Sequence, residues 1–212
     1  MAGFTGWGPE FVAFFDGLAV HNSKEWFDRH RDLYQSAVRK PTEELVAELA
    51  PQYGTGKIFR LNRDARFAVG QPPYHTNIAV EFAGSGVHHY LSASASELIA
   101  SVGPFRTDSA WVSQYRQVVA GAGGSLLQRI LEDLRTAGYT IGGDTLRTAP
   151  RGYPPDHPHR ELLRHRSITA SRRWPAADWV GDRRAIELVQ DAWDKAGPLV
   201  SWLRRNCPTE EP

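Results

Sequence analysis

Phe11, Phe14, Phe15 and Leu18 recur at spacings of three and four behind Pro9, a residue suited to a first helical turn, so the chain opens with a core-facing helix. Ser23 is placed to cap a second helix carrying Trp26, His30, Leu33 or Tyr34, and Ala37 along one side. Pro41 ends or kinks that helix, or serves in the first turn of a third one bearing Leu45, Val46 and Leu49. Residues 8–50 therefore read as helical. After Pro51 the period shortens. Residues 57–61, 76–82, 87–93 and 97–102 have strand lengths, and Thr76, Ile78, Val80 and Phe82 alternate against Asn77, Ala79 and Glu81. Gly84-Ser85-Gly86 separates two of these runs as a hairpin turn does, which predicts an antiparallel pair within a strand-rich region over 57–103.

Helical spacing returns over 108–137. One helix is predicted from Asp108 to Ala120 with Trp111, Tyr115 and Val118 or Val119 aligned. A second runs from Ser125 to Ala137, with Ser125 and Gln128 spaced as a capping box and Gly138 behind it. Residues 147–173 form an irregular, arginine-rich segment with a short helix near 160–164 and a strand over 167–170. Asp182 caps a C-terminal helix over 182–206 that carries Ile186, Val189, Trp193, Ala196 and Val200, and Pro198 kinks or restarts it. The sum is one α+β domain over 1–212, with a central antiparallel or mixed sheet from the middle of the chain flanked by N- and C-terminal helices.

Composition narrows the class. The chain has 212 residues, 41% of them hydrophobic, and 25 basic against 24 acidic side chains. That suffices for a core without metal or disulfides, and the balanced charge does not by itself call for a polyanionic partner. Cys207, the single cysteine, stands in a polar tail expected to fray. With no leader pattern and no apolar run of spanning length, this fits a cytoplasmic protein that does not engage a membrane. Trp174 and Trp179, beside Pro175 in irregular chain, can cover a pocket or a partner surface, and a monomer or small homo-oligomer is expected.

The sharpest polar feature is the segment from Lys57 to Phe67, with Lys57, Arg60, Arg63 and Arg66 against Asp64 alone. Planar guanidinium donors suit phosphate or carboxylate, and Asp64 can hold one arginine in place; structural ion pairing is the alternative. Pro72 and Pro73 stiffen the approach to Tyr74 and His75, a candidate rim, and His75 titrates in a range useful for proton transfer. A second basic region, Arg151 to Arg173, carries six arginines against Asp156 and Glu161, with His157, His159 and His165 interspersed. Adjacent strand positions send His88 and His89 to opposite faces and His157-Pro158-His159 lacks a recognisable partner set, so no metal and no cofactor is expected, with Asp156 and His157 plus a distant carboxylate as the alternative. Gly121-Ala122-Gly123-Gly124 lacks the lysine and preceding strand of a phosphate loop and reads as a turn between helices.

Five ordered blocks carry a resemblance: Phe4-Thr5-Gly6; Asn22-Ser23-Lys24-Glu25-Trp26-Phe27; Phe59 to Phe67; Pro73-Tyr74-His75-Thr76; and Ala149-Pro150-Arg151-Gly152-Tyr153 through Asp156-His157-Pro158. Together they resemble the DUF2461 family of uncharacterised bacterial and fungal proteins over nearly the whole chain. The resemblance implies candidates rather than an activity: Asn22, Glu25, Arg60, Arg63, Asp64, Arg66, Tyr74, Thr76, Arg151, Asp156 and His157. The chain departs from the pattern at Ala65, where valine is usual, at Phe67 to Gln71, where a more polar stretch is usual, and at His75, where lysine is typical.

The expectation for function is a small phosphorylated or carboxylated molecule bound where Arg60, Arg63 and Arg66 approach Arg151 and the Asp156-His157 turn. Tyr74, Thr76 and Asn22 would line that site, Glu25 or Asp64 would orient an arginine, and His157, His75 or Asp64 would exchange a proton if it is catalytic. A nucleic-acid binder and an adaptor without a small ligand are the competing readings.

Overall fold

The structure, a computed structural model, describes residues 3–64, 66, 69–84, 86–104 and 107–207. Ala65, Phe67, Ala68 and Ser85, which figure in the sequence expectations above, lie outside the described residues.

The first helix, α1 (Pro9–Val20), buries Phe11, Phe14, Phe15 and Leu18, the stripe expected of it. Ser23 caps α2 (Lys24–Arg29), its hydroxyl accepting from the Trp26 N–H at 3.2 Å. The expected continuous helix to Pro41 is broken. A short α3 (Arg31–Leu33) leads into a π-helical turn over Tyr34–Arg39, and α4 runs over Lys40–Tyr53. The π-helical turn has a local cause: Pro41 has no N–H and its ring would clash with a carbonyl one turn back, and the Lys40 N–H before it bonds five residues back to Gln35.

Strands β1 (Gly56–Ile58), β2 (Asn77–Phe82), β3 (His88–Ser94) and β4 (Glu97–Gly103) form within the predicted region. The first is shorter than expected, because residues 59–63 keep only intermittent ladder bonds. A later strand, β6 (Thr169–Pro175), extends beyond the expected 167–170, and β5 (Thr140–Gly142) carries too few residues for a period. The antiparallel sheet has the order β1-β2-β3-β4-β6-β5, with Lys57 opposite Glu81 and Ile141 opposite Ala170. This is an α+β architecture with a mid-chain sheet and helices on both sides.

Asp108 caps α5 (Ser109–Ala120), accepting from the Trp111 N–H at 2.8 Å. The following helix, α6 (Ala122–Thr136), starts three residues before the expected Ser125, so Ser125 and Gln128 form no capping box and Gly121 alone is the turn. Gly124 lies inside this helix, where a side chain has no room: a Cβ there would sit 2.1 Å from the Val119 carbonyl oxygen and 2.4 Å from His159 Cδ2. Gly138, at φ 87°, closes α6 as expected, with Tyr139 N–H bonding to Leu134 and Gly138 N–H to Arg135.

After α7 (Arg160–Leu163), the predicted C-terminal helix is two helices, α8 (Arg184–Lys195) and α9 (Gly197–Asn206), the second restarting with Pro198 in its first turn. Asp182 accepts from the Arg184 N–H at 2.7 Å. Cys207 is not in a frayed tail. It closes α9 and is buried. Trp174 and Trp179 are likewise buried rather than exposed as cover for a partner.

By internal contacts the chain divides into two compact units. The first comprises 1–82, 90–100 and 173–191; the second comprises 83–89, 101–172 and 192–212. The first has an aromatic core in which Trp7, Phe11 and Trp179 meet edge to face or tilted, with Phe14 against Trp26 and Tyr34. In the second, Trp111 stacks on Tyr115 at 5.3 Å, Trp202 meets Tyr115 edge on, and the Tyr139 hydroxyl donates to Ala192. Among the described residues no helix is long and apolar enough to cross a membrane.

Candidate functional site

In the first unit, the polar blocks build a supported hairpin. Past β1, Arg63 N–H bonds to Pro73 at 2.8 Å and His75 N–H to Leu61 at 2.8 Å, so residues 61–63 run against 73–75. Asn22 completes this arrangement. Its amide donates to the Tyr74 carbonyl and accepts from the Tyr74 N–H, both at 3.0 Å, as a neighbouring strand would. Tyr74 is no rim residue: it is buried and stacks on Phe27 at 4.5 Å. Two prolines before Tyr74 remove donors from the approach, and an asparagine side chain supplies a partner that no strand supplies there.

The arginines of this hairpin have different surroundings. Asp64 binds Arg66 through both carboxylate oxygens and accepts the Arg66 N–H as well, and these bonds hold its carboxyl below the usual carboxylate range. Arg63 donates to Gln71 at 3.1 Å, and its buried Nε has no hydrogen-bond partner. Arg60 is exposed, and no hydrogen bond or ion pair engages its guanidinium among the described residues. His75 is half-buried, and burial, then the positive charge of Arg63, lowers its pKa, which disfavours the imidazolium. Glu25 is exposed on α2. Thr76 lines a different feature, a cleft of about 510 Å³ with Asn77, Ser92, Ser94, Asp16 and the Arg173–Glu97 pair.

Most arginines of the second basic region are engaged within the protein. Arg164 bonds to the Leu146 carbonyl and Glu161, Arg172 lies over the Tyr139 ring, and Arg173 grips Glu97. Arg151 is the exception. It is exposed, with no hydrogen bond or ion pair among the described residues, and it lines a cleft of about 470 Å³ in the second unit. Arg116 and Arg166 line the same cleft, with Ser109, Ser113, Tyr153 and the capping Asp108. The sequence sets up this wall: Ser109, Val112, Ser113 and Arg116 follow the i, i+3, i+4, i+7 spacing of one face of α5, while Trp111, Tyr115 and Val119 take the buried face. The Arg116 Nε is fixed to the Leu163 carbonyl at 3.1 Å and Arg166 is tied to Asp144 at 3.0 Å. Both guanidinium groups are thus oriented.

Asp156 is exposed in the turn before His157. Both ring nitrogens of His157 are engaged: Nδ1 accepts the His159 N–H at 3.1 Å, which makes Nε2 the N–H donor to the Ala120 carbonyl at 3.3 Å. The ring ties the turn to the end of α5. Burial pushes the Cys207 thiol up to about 12, so it holds no thiolate at neutral pH. Among the described residues no three His, Cys, Asp or Glu side chains gather as metal ligands.

The candidates thus fall into two sets. Arg60, Arg63, Asp64, Arg66, Tyr74, Thr76, His75, Asn22 and Glu25 belong to the first unit, and Arg151, Asp156 and His157 to the second. Sequence reasoning passed over Arg116, though its place on the polar side of the α5 pattern was a usable signal. It named Arg166 only as part of a basic stretch.

A search of curated proteins found no match. The sequence model of the conserved hypothetical protein family DUF2461 matches residues 10–202, a span that takes in both the Asn22–Tyr74 support and the arginine-lined cleft. The chain belongs to the DUF2461 family.

Proposed function

We propose that the protein binds a small phosphorylated or carboxylated molecule in the cleft at the start of α5, with Arg151 as the principal clamp. The observation that carries this reading is the presence of Arg116, Arg151 and Arg166 in one cleft, two of them held by internal bonds and the third without an internal partner. An arginine with no protein acceptor keeps its bidentate face for an oxyanion. Ser109 and Ser113 add hydroxyl donors, and the opening turn of α5 adds the positive end of its dipole, offset by the capping Asp108.

The volume suits a metabolite-sized ligand rather than a polymer track. The test is titration of the full chain with inorganic phosphate and glycerol phosphate at fixed ionic strength. Arg151→Ala should weaken binding by about tenfold or more, the worth of a charge-assisted hydrogen-bond pair. Equal affinity in wild type and Arg151→Ala sinks the reading. Tight, salt-sensitive binding of an oligonucleotide that Arg60→Ala abolishes would favour the nucleic-acid alternative.

A further inference from the structure

A second cluster in the second unit has a different chemistry. His159 bridges two residues on one face of α6: its Nε2 meets Ser125 Oγ at 3.2 Å and its Nδ1 meets Gln128 Oε1 at 3.1 Å. Gln128 in turn donates from Nε2 to Glu132 Oε1 at 3.0 Å. The chain of bonds has one direction. A carboxylate only accepts, so the Gln128 group facing Glu132 is its NH₂ and the group facing His159 is its carbonyl oxygen. A carbonyl oxygen only accepts, so His159 Nδ1 carries the proton. In the neutral ring Nε2 then holds the lone pair, and the Ser125 hydroxyl is the donor to it. This is the arrangement of a hydroxyl nucleophile, a base and an orienting acceptor, with an amide in the third place.

We propose that Ser125 is a nucleophile activated by His159, acting on small carboxylic esters. Three further features support it. Ser125 is exposed, so an ester reaches it from solvent. The His159 ring is seated by contact with Gly124, where a Cβ would lie 2.4 Å from its Cδ2, and by the bond from its own backbone N–H to His157. The first turn of α6 has no side-chain cap, and its earliest backbone N–H groups, ahead of the Gly124 N–H that bonds to the Gly121 carbonyl, are donors of the kind that stabilise an oxyanion.

The sequence of bonds balances. Ser125 Oγ attacks the ester carbonyl carbon while its proton passes to His159 Nε2. The tetrahedral adduct collapses, the C–O bond to the alcohol breaks, and the alcohol leaves with that proton. Water then attacks the acyl group on Ser125, giving its proton to Nε2, and the freed Ser125 oxygen takes it back. One ester and one water become one acid and one alcohol. Gln128 is a positioning residue that fixes the His159 tautomer. The proposal does not rest on the anion cleft, and the phosphate titration leaves it untouched.

The test is labelling of the full chain with an aryl fluorophosphonate, mapped by peptide mass, beside hydrolysis of p-nitrophenyl butyrate. Wild type should be labelled at Ser125. Ser125→Ala should lose the label and ester turnover, and His159→Gln should slow labelling by about 100-fold or more, the usual share of a general base. Gln128→Leu, on the exposed face of α6, should keep the thermal unfolding midpoint. It should slow labelling about tenfold and abolish the Nδ1–H tautomer in long-range ¹H–¹⁵N spectra of the His159 ring. Absence of label on Ser125, labelling spread evenly over several hydroxyl residues, or an unchanged rate in His159→Gln overturns the assignment.

Discussion

Arg63 and Arg66 of the hairpin and the arginines of the α5 cleft are the same residue type in two settings, and their guanidinium groups are engaged differently in each. In the first unit Arg66 is bound to Asp64 two residues away and Arg63 to Gln71, acceptors that the hairpin itself supplies. In the second unit Arg116 and Arg166 are fixed by a backbone carbonyl and by Asp144, and both still line a cleft that Arg151 completes without an internal partner. Density of charge along a sequence does not separate a binding arginine from a structural one. What differs is where folding places the groups: Arg116, Arg151 and Arg166 line one cleft, two of them paired, while Arg60, also without an internal partner among the described residues, is exposed on the hairpin.

Three measurements probe the two units, the last of them the contrast itself. The largest effect is expected at Asn22, read here as a support for the hairpin and not as a ligand group. Asn22→Ala removes both hydrogen bonds to the Tyr74 backbone and leaves a partly buried N–H and C=O unpaired, a loss of about 2–4 kcal/mol. Urea unfolding should show it, and a stability unchanged from wild type would return Asn22 to the list of ligand candidates.

Acid should act next, through His89 in the second unit. Burial, reinforced by Arg204, lowers its pKa to about 4. Since the folded value lies below that of the unfolded chain, near 6.5, the contribution is complete above about pH 6.5 and is lost as pH falls from there toward 4. The loss is at most about 3 kcal/mol. Thermal midpoints of wild type and His89→Gln should therefore converge on acidification; parallel curves would show that His89 carries none of the slope.

The smallest effect is expected at the exposed Asp64–Arg66 pair. Asp64→Asn and Arg66→Ala should leave phosphate affinity and the unfolding midpoint where they are in wild type. A weakened phosphate response in Arg66→Ala would erase the distinction between the two sets of arginines.

Local pattern made several elements legible. Ser23 and Asp108 cap helices because a short polar side chain ahead of an apolar period can reach the N–H three residues on, a relation contained within four residues. The α1 stripe and the closing Gly138 depend on neighbours just as close, whereas β2 formed where expected but is buried on both faces, Ala79 and Glu81 included, so its alternation marked no exposed side. Where local signals competed, the pattern misled. Ser125 and Gln128 match a capping box, but α6 begins at Ala122, and both side chains instead hold His159, 34 and 31 residues away.

The candidate site was legible in part. Arg151 was named from its block, and Arg166 from a basic stretch. Arg116 sits alone in its sequence neighbourhood, and only the approach of Leu163 and of the 146–153 segment to α5 makes it part of a cleft. Conversely, Tyr74 looked like a rim residue because polar and proline residues surround it, yet the stack on Phe27, 47 positions earlier, takes it into the core.

By itself the sequence determined the α+β class, the order of most elements and the family, since each rests on periodicity or on ordered blocks that survive without coordinates. The tertiary structure decided which arginines are already paired, which histidine nitrogen carries its proton and which glycine must be a glycine. Those depend on groups brought together from distant parts of the chain, within the roughly 3 Å over which a hydrogen bond acts.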